Sequence, residues 1–391
     1  MFVDLTREQK AVRDEIRAYF DKLMTDELRE EMKGTEGGGP LFRETLRKLG
    51  EDRWLGIGWP EEYGGQDRSA IEQYLFAEEV QRVGFPLPFL TLGTVGPTLM
   101  QFGTDEQRKR FLPRILRGEI LFAIGYSEPE AGTDLASLKT RAVRDGDEYV
   151  INGQKVFTSL ADHSDYVWLA ARTDPDAPKH RGISMFIVPL DAPGVKVTPI
   201  YTMGGIRTNA TYYEDVRVPA ENLVGGENRG WTLITNQLNH ERVSLFNYGP
   251  MGQIYDDVVA WARETEHPEG GKVIDRPWVQ ANLARFRAHL EVLKVMNWKQ
   301  AWEITQGGLH PAEASAVKVF ASEFNISGYH WLLEVLGEAG TIRDGSPGAI
   351  LRGRVERTYR SMLILTFGGG TNEVQRDIIA MAGLGMPHYK S

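Results

Sequence analysis

The chain has 391 residues, of which 41% are hydrophobic and 25% charged, a balance typical of globular proteins and unlike that of a mainly disordered chain. Its 54 acidic and 45 basic residues give a formal net charge of −9, which argues against a nucleic-acid-binding protein. There is no cysteine, so disulfides, thiolate metal ligands, iron–sulfur clusters and a cysteine nucleophile are all excluded.

The amino-terminal sequence is polar from its first residues, and no stretch approaches 18 consecutive apolar residues. We therefore expect neither a signal peptide nor a transmembrane helix, and we expect the protein to reside in the cytoplasm. At about 150 residues per domain, the chain is long enough for two or three domains.

Helical patterning dominates the first part of the chain. Thr6 and Gln9 form a capping-box pattern, and apolar residues then recur at helical spacing as far as Leu23. The same cap opens another helical run at 104–107. These patterns predict a helical N-terminal domain over residues 1–118.

The period of the apolar residues then changes. Short apolar or β-branched runs, separated by Gly, Pro, Asp-Gly and Asn-Gly turn signals, lie at 120–126, 149–152, 166–172, 183–190, 195–200 and 211–216. Because no helical pattern separates them, they predict an antiparallel barrel or sandwich over 119–229 rather than a βαβ fold. The helical pattern returns over 230–391, in runs at 231–265, 276–305, 312–337, 348–363 and 371–382. The predicted class is α+β, in the order helical, β, helical.

Several common catalytic and cofactor motifs are absent from the sequence. There is no P-loop, no Gly-x-Ser-x-Gly with triad partners, no His-Glu-x-x-His, and no Gly-x-Gly-x-x-Gly after a strand. The eight histidines are scattered and form no cluster with metal-ligand spacing. We therefore expect neither a metal site nor a Rossmann-bound cofactor.

The first segment that could carry chemistry is the turn that follows the strand predicted at 120–126. The hydroxyls of Ser127 and Thr133, together with backbone N–H groups, could hydrogen-bond a planar heterocycle or a carbonyl oxygen. The same residues are equally compatible with a plain Asx or proline turn.

The second segment covers 151–159. Asn152-Gly153 fits a type I′ hairpin turn, and the alternation after it predicts Lys155, Phe157 and Ser159 on one strand face. An aromatic ring and a hydroxyl on one face could flank a flavin ring, or could belong to an ordinary half-buried strand.

The third segment, 237–242, lies inside the first predicted helix of the last region. Glu241 stands among apolar residues, and burial would raise its pKa toward the range of a general base. The alternative is a solvated polar patch.

The fourth segment, 366–376, has three consecutive glycines before a helix that Thr371 caps. The glycines would allow a ligand to approach the backbone closely, and the helix N-terminus would favour an anion. The alternative is a flexible interhelical turn without a ligand.

Together, these four segments resemble the acyl-CoA dehydrogenase family, and the resemblance covers nearly the whole chain. It implies an N-terminal helical domain, a central β-barrel and a C-terminal four-helix-type bundle that close over FAD and an acyl-CoA thioester. It also implies a set of FAD-binding residues, namely Tyr126, Ser127, Gly132, Thr133, Phe157, Ser159, Gly337, Gly370, Thr371 and Glu373. Thr133 would also contact the thioester end of the substrate.

The catalytic base departs from the commonest family pattern. Most members carry it as the Glu of Tyr-Glu-Gly-Thr, but here those two positions are Gly368 and Gly369. A minority branch, similar to isovaleryl-CoA and long-chain dehydrogenases, has a helical Glu directly before an Arg, and Glu241-Arg242 matches it. The resemblance implies that Glu241 removes the α proton while the flavin accepts a hydride, and that Arg242, Gly368 and Gly369 line the substrate site.

The two glycines leave room for a bulky acyl group. The sequence is more narrowly similar to catalytic subunits of actinobacterial α2β2 dehydrogenases that act on steroid side-chain thioesters. The family's Arg-x-x-Phe-Gly motif is missing, and its Gln-x-x-Gly-Gly segment is altered at 334–338. We therefore expect a related partner subunit that completes the FAD site, with an electron-transfer flavoprotein as acceptor. An acyl-CoA oxidase, a flavin monooxygenase and a non-catalytic, flavin-completing subunit are the alternatives.

Overall fold

The computed structural model describes residues 4–387 except 34, 36 and 246, and it leaves out the side chains of 238–245. Six helices form the N-terminal region: α1 Arg7–Leu23, α2 Asp26–Glu31, α3 Pro40–Glu51, α4 Ala70–Arg82, α5 Gly96–Phe102 and α6 Asp105–Leu116. The two predicted capping boxes are confirmed, since Thr6 and Thr104 each accept the backbone N–H of the residue three positions on. A π-helical turn, Leu90–Val95, precedes α5.

Aromatic side chains fill the core of this region. Phe20 of α1 packs edge-on against Phe76 of α4, and Trp54 stacks on Phe76 with ring centroids 5.9 Å apart. Phe42 of α3 and Phe85 stack beside them. Burying each such side chain contributes on the order of 1.5–3 kcal/mol, so apolar periodicity is sufficient to explain why these helices associate.

The central region contains eight strands: β1 Phe122–Gly125, β2 Arg141–Asp145, β3 Glu148–Lys155, β4 Tyr166–Arg172, β5 Ile183–Pro189, β6 Val195–Tyr201, β7 Arg207–Pro219 and β8 Leu223–Val224. They form one sheet in the order β6-β7-β3-β2-β4-β5-β8, with β1 pairing in parallel with β4. The predicted six runs are therefore strands, and β2 and β8 are two that the patterning missed.

The predicted antiparallel barrel or sandwich is instead a single open sheet with two parallel pairings. Among the described residues, β6 pairs only with β7 and β8 only with β5, and β2 joins β4 in parallel. Pro199 in β6 cannot donate to a further ladder, and β8 has only two residues, so both edges end the sheet.

The Asn152-Gly153 hairpin turn predicted from the sequence is wrong. Strand β3 runs through both residues, with a register shift between Ile151 and Gly153, and the hairpin turn lies between β2 and β3 around Gly146. Gly153 has φ +148°, and a Cβ there would come 2.6 Å from the Thr140 hydroxyl. The Asn-Gly signal therefore marks a bulge, which glycine also favours.

Six helices form the C-terminal region: α7 Gly230–Leu245, α8 Gly249–Glu264, α9 Pro277–Thr305, α10 Pro311–Leu336, α11 Arg354–Met362 and α12 Asn372–Ile378. The run predicted at 231–265 is two helices, and Pro250 lies in the first turn of α8, where its missing N–H has no intrahelical partner to lose. Phe286 of α9 and Phe324 of α10 meet in the core of the bundle at 5.1 Å.

Contacts between regions bring α7 next to the sheet. Helix α7 packs against β5, against the π-helical turn at Leu90–Val95 and against α10, while α4 packs against α8 and α9. The helix that carries position 241 therefore lies where the three regions meet. None of the helices in the described part of the chain is long and apolar enough to cross a membrane.

Candidate active site

The turn at 126–133 leaves β1 and is held by a buried carboxylate. Glu128 is 7% exposed, and its two oxygens accept the backbone N–H groups of Lys139 at 2.6 Å and Thr140 at 2.8 Å. Glu128 and Ala131 also exchange backbone hydrogen bonds across the turn. Ser127 is half-buried, whereas Gly132 and Thr133 are exposed at the far end. The 126–133 turn is therefore fixed at its centre and open at its end.

The partner of Glu128 is a fully buried lysine at the end of β3. The Lys155 ammonium lies 2.8 Å from Glu128 Oε1 and donates to the carbonyl oxygen of Tyr126 at 3.0 Å. Burial lowers the pKa of Lys155 to about 8, against the opposing attraction of Glu128, so the ammonium is charged at neutral pH. Burial also acts to raise the pKa of Glu128, but Lys155 and the hydrogen bonds outweigh it and lower that pKa.

Strand geometry ends after Lys155, so the predicted common face for Lys155, Phe157 and Ser159 is wrong. Phe157 has φ +58° and is 64% exposed, whereas Lys155 is buried. The segment is fastened to β7 by Thr158 N–H, which donates to Asn209 O at 2.8 Å, and by a 3.1 Å contact between the Ser159 and Thr208 hydroxyls. The strained backbone presents the aromatic ring outward rather than into the sheet.

The 126–133 turn also contacts α7. The Tyr126 hydroxyl donates to Oε1 of Gln237, which is 2% exposed. The Gln237 Nε2 is buried and has no hydrogen-bond partner among the described residues. Positions 241 and 242 lie in the same helix, but the side chains of Glu241 and Arg242 lie outside the described residues. Gln237 precedes position 241 by four residues, so both positions are on the same side of α7.

The glycine-rich turn at 367–371 is anchored on α10. Thr371 caps α12 as predicted, accepting the Val374 N–H, and Asn372 Oδ1 accepts the buried Lys318 ammonium at 2.6 Å. Gln375 Nε2 donates to Gly369 O at 3.0 Å, while its Oε1 is buried and meets no hydrogen-bond donor in the part of the chain that the structure describes. The buried polar side chains of Lys318, Asn372 and Gln375 therefore hold the backbone of this turn in place.

The structure does not bring all the predicted residues together. Tyr126, Ser127 and the 155–159 segment adjoin one another, since Val156 N–H donates to Ser127 O at 2.9 Å. Gly337 ends α10, whereas the glycine-rich turn is anchored at Lys318 and Ser322. Gly337 lies 15 positions after Ser322, which corresponds to roughly 22 Å of helix, so Gly337 is far from the turn within one chain.

Sequence reasoning missed the side-chain pairings that hold these segments in place. The notable ones are Glu128 with Lys155, Gln237 with Tyr126, and Lys318 with Asn372. The available signals were the two lysines: Lys155 stands at an alternate position of an apolar strand, and Lys318 lies within the run of small and apolar residues at 314–321. Such residues are rarely buried without a partner, but a sequence alone does not identify that partner.

The residues present fit a flavin nucleotide. The 126–133 turn supplies hydroxyl and backbone donors, and Phe157 supplies an outward-facing ring for stacking. At Gly132 and Gly369 an added Cβ would meet nothing within 4 Å, so backbone at both turns is approachable. In the described part of the chain, no three His, Asp or Glu side chains group as a metal site requires.

Comparisons with known proteins agree with this arrangement. The N-terminal, middle and C-terminal domain models of acyl-CoA dehydrogenases match residues 6–119, 123–216 and 228–384. Acyl-CoA dehydrogenase FadE26 of Mycobacterium tuberculosis is 55% identical over 99% of both chains. The ChsE4-ChsE5 complex from the same organism and the Tcur3481-Tcur3483 steroid ACAD each superpose with a TM-score of 0.94, at 56% and 52% identity and with full coverage of both chains. The chain belongs to the acyl-CoA dehydrogenase family, whose enzymes are FAD-dependent oxidoreductases.

Proposed function

We propose that this chain catalyses α,β-dehydrogenation of a bulky acyl-CoA thioester to its trans-2-enoyl-CoA, with Glu241 as the base. The Glu241 carboxylate takes the α proton, and Thr133 and backbone N–H groups of the 126–133 turn hydrogen-bond the reactants. When bound, FAD supplies the hydride acceptor at its N5 atom. Ser127, Phe157 and Ser159 hold the ring, and Gly370, Thr371 and Glu373 hold the adenylate side.

The observation that carries this proposal is the hydrogen bond between Tyr126 and Gln237. It joins the turn assigned to the flavin with the helix that carries position 241, one helical turn further on. Gln237 is buried, so this contact is made away from bulk solvent. A base in a water-poor site next to the hydride acceptor is what α,β-dehydrogenation needs, because the proton and the hydride leave adjacent carbons.

The substrate assignment rests on the space beside the glycine-rich turn and on similarity to a solved structure. Gly368 and Gly369 contribute no side chain beside the glycine-rich turn, and an added Cβ at Gly369 would contact nothing within 4 Å. The similar Tcur3481-Tcur3483 protein is described as a steroid ACAD. We therefore assign a polycyclic, steroid side-chain thioester as the substrate class, with Arg242 and Thr133 among the residues that contact it.

We further propose that the chain works in the cytoplasm with a related dehydrogenase-like subunit, as an α2β2 heterotetramer that passes electrons to an electron-transfer flavoprotein. Two similar solved structures carry the names of two components each. Roughly 22 Å of helix separate Ser322, which anchors the glycine-rich turn, from Gly337. This distance supports an arrangement in which the glycine-rich turn and Gly337 of one chain contact two different FAD molecules. Phe157 and Phe367, at 64% and 65% exposed, are available to a cofactor or a partner.

The test is Glu241→Gln in the flavin-loaded protein, produced together with its partner subunit where the lone chain holds no flavin. We expect unchanged FAD content and turnover reduced by at least about 10²-fold, because a positioned base contributes about that much. Glu264→Gln removes an exposed carboxylate at the end of α8 and is the matched control. Activity retained in Glu241→Gln would overturn the assignment, and peroxide formation in place of dye reduction would indicate an oxidase.

A further inference from the structure

A buried ion pair lies between the two segments assigned to the flavin, although neither of its residues belongs to the assigned contact set. Lys155 is 0% exposed, and its ammonium bridges Glu128 Oε1 and Tyr126 O. Two residues assigned to the flavin ring are close to this pair in sequence. Ser127 stands between Tyr126 and Glu128, and Phe157 is two positions after Lys155.

The pair joins three separate stretches of chain at one point. Glu128 belongs to the turn after β1, Lys155 ends β3, and the N–H groups of Lys139 and Thr140, just before β2, complete the carboxylate's hydrogen bonds. A further backbone bond, from Val156 N–H to Ser127 O at 2.9 Å, runs beside the pair. Within the described part of the chain, removing Lys155 would leave the Val156–Ser127 backbone bond as the remaining hydrogen bond between the turn and the end of β3.

Stability alone does not account for a lysine at this position. Taking an ammonium and a carboxylate out of water costs several kcal/mol each, and apolar residues of similar volume often replace such pairs without loss. What an apolar residue cannot supply is a donor to the Tyr126 carbonyl, together with a fixed distance between two polar backbones. The ion pair therefore fixes the distance between the 126–133 turn and the end of β3, which apolar packing would leave less defined.

We propose that Lys155 and Glu128 are positioning residues that fix the 126–133 turn relative to the 155–159 segment, so that Ser127 and Phe157 meet the flavin ring in one geometry. The proposal rests on the assignment of FAD to these segments. It predicts that breaking the pair loosens flavin binding and alters the flavin environment while the protein remains folded.

The experiment compares Lys155→Met, Glu128→Gln and the double variant, each as the full chain in its flavin-binding assembly. We expect FAD to dissociate at least 10-fold more readily from Lys155→Met, about 1.4 kcal/mol of binding free energy, and its visible absorption bands to lose resolution. In the apo protein, amide hydrogen exchange at Lys139, Thr140 and Val156 should accelerate. The double variant removes the unpaired buried charge and restores thermal stability, but it leaves FAD affinity low because no lysine at position 155 fixes the turn through Tyr126 O.

Glu79→Gln is the matched control. Glu79 is also fully buried and paired, but it lies in α4, where it accepts Arg17 of α1 at 2.6 Å and Arg82 at 2.6 Å. It should lower stability without changing FAD affinity or the flavin spectrum. Parent-like FAD affinity and spectrum in the folded Lys155→Met or double variant would overturn the proposal. A parent protein that binds no FAD in any assembly would instead contradict the proposed function.

Discussion

Asn372 anchors the glycine-rich turn on α10, and its removal should be costly. Its Oδ1 accepts the Lys318 ammonium at 2.6 Å and the Ser322 hydroxyl at 3.1 Å, and the residue is 4% exposed. A hydrogen bond to a charged group contributes about 1.5–3 kcal/mol, and a neutral one about 1 kcal/mol. Asn372→Ala removes both from a buried ammonium and a buried hydroxyl, so we expect a loss of about 2–4 kcal/mol in the free energy of unfolding.

Urea unfolding followed by circular dichroism measures this loss. Asn372→Asp keeps an acceptor for Lys318 and should lose less than Asn372→Ala. Asn282→Ala removes a comparable amide, which donates to Glu334 at 2.8 Å on the surface, and should change the free energy of unfolding by less than about 0.5 kcal/mol. If Asn372→Ala unfolds within about 0.5 kcal/mol of the parent, the anchoring role is wrong.

Two further predictions concern a buried carboxyl and a backbone position. Burial, assisted by Glu79, raises the pKa of Glu78 from its ordinary 4.5 to about 7, so the folded state retains a proton that the unfolded state has lost. Stability should therefore fall as pH rises from about 4.5 to about 7, by about 3 kcal/mol, and Glu78→Gln should flatten that slope in unfolding titrations; an unchanged slope would contradict it. Gly370 has φ +85°, and a Cβ there would come 2.6 Å from Gln375 Nε2, so Gly370→Ala should weaken FAD binding at least several-fold. Gly345→Ala, at φ +79° with nothing within 4 Å, controls for the left-handed backbone alone, and equal stability losses with unchanged FAD binding in both would refute the contact argument.

Local patterns predicted the elements well, because caps and apolar periods act over a few residues. Thr6, Thr104 and Thr371 cap helices as their sequences indicated, and the order of helical, β and helical regions is confirmed. Sheet closure was not predictable, because strand pairing depends on partners far apart in the chain. The open edge at β6 follows from Pro199 only once its neighbours are known.

Two limits apply to predicting the site from the sequence: a local motif can fit two structures, and a residue that acts through another does not reveal its partner. Asn152-Gly153 illustrates the first limit, since the same dipeptide serves a hairpin turn or a bulge and only the contact with Thr140 decides. Lys155 illustrates the second, because its partner Glu128 is 27 residues away in sequence. The family resemblance supplied roles for exposed residues, whereas the buried polar groups that hold them required the three-dimensional structure.

An anaerobic single turnover measures α,β-dehydrogenation and the role of Glu241 in one experiment. The flavin-loaded assembly is mixed with a steroid side-chain acyl-CoA, the flavin absorbance is followed, and the quenched product is identified by mass spectrometry. We expect bleaching of the flavin with formation of one trans-2-enoyl-CoA per FAD, and no bleaching in Glu241→Gln. An assembly that binds FAD and the thioester but neither bleaches nor forms the enoyl product, or one in which Glu241→Gln reacts as the parent does, would contradict this expectation.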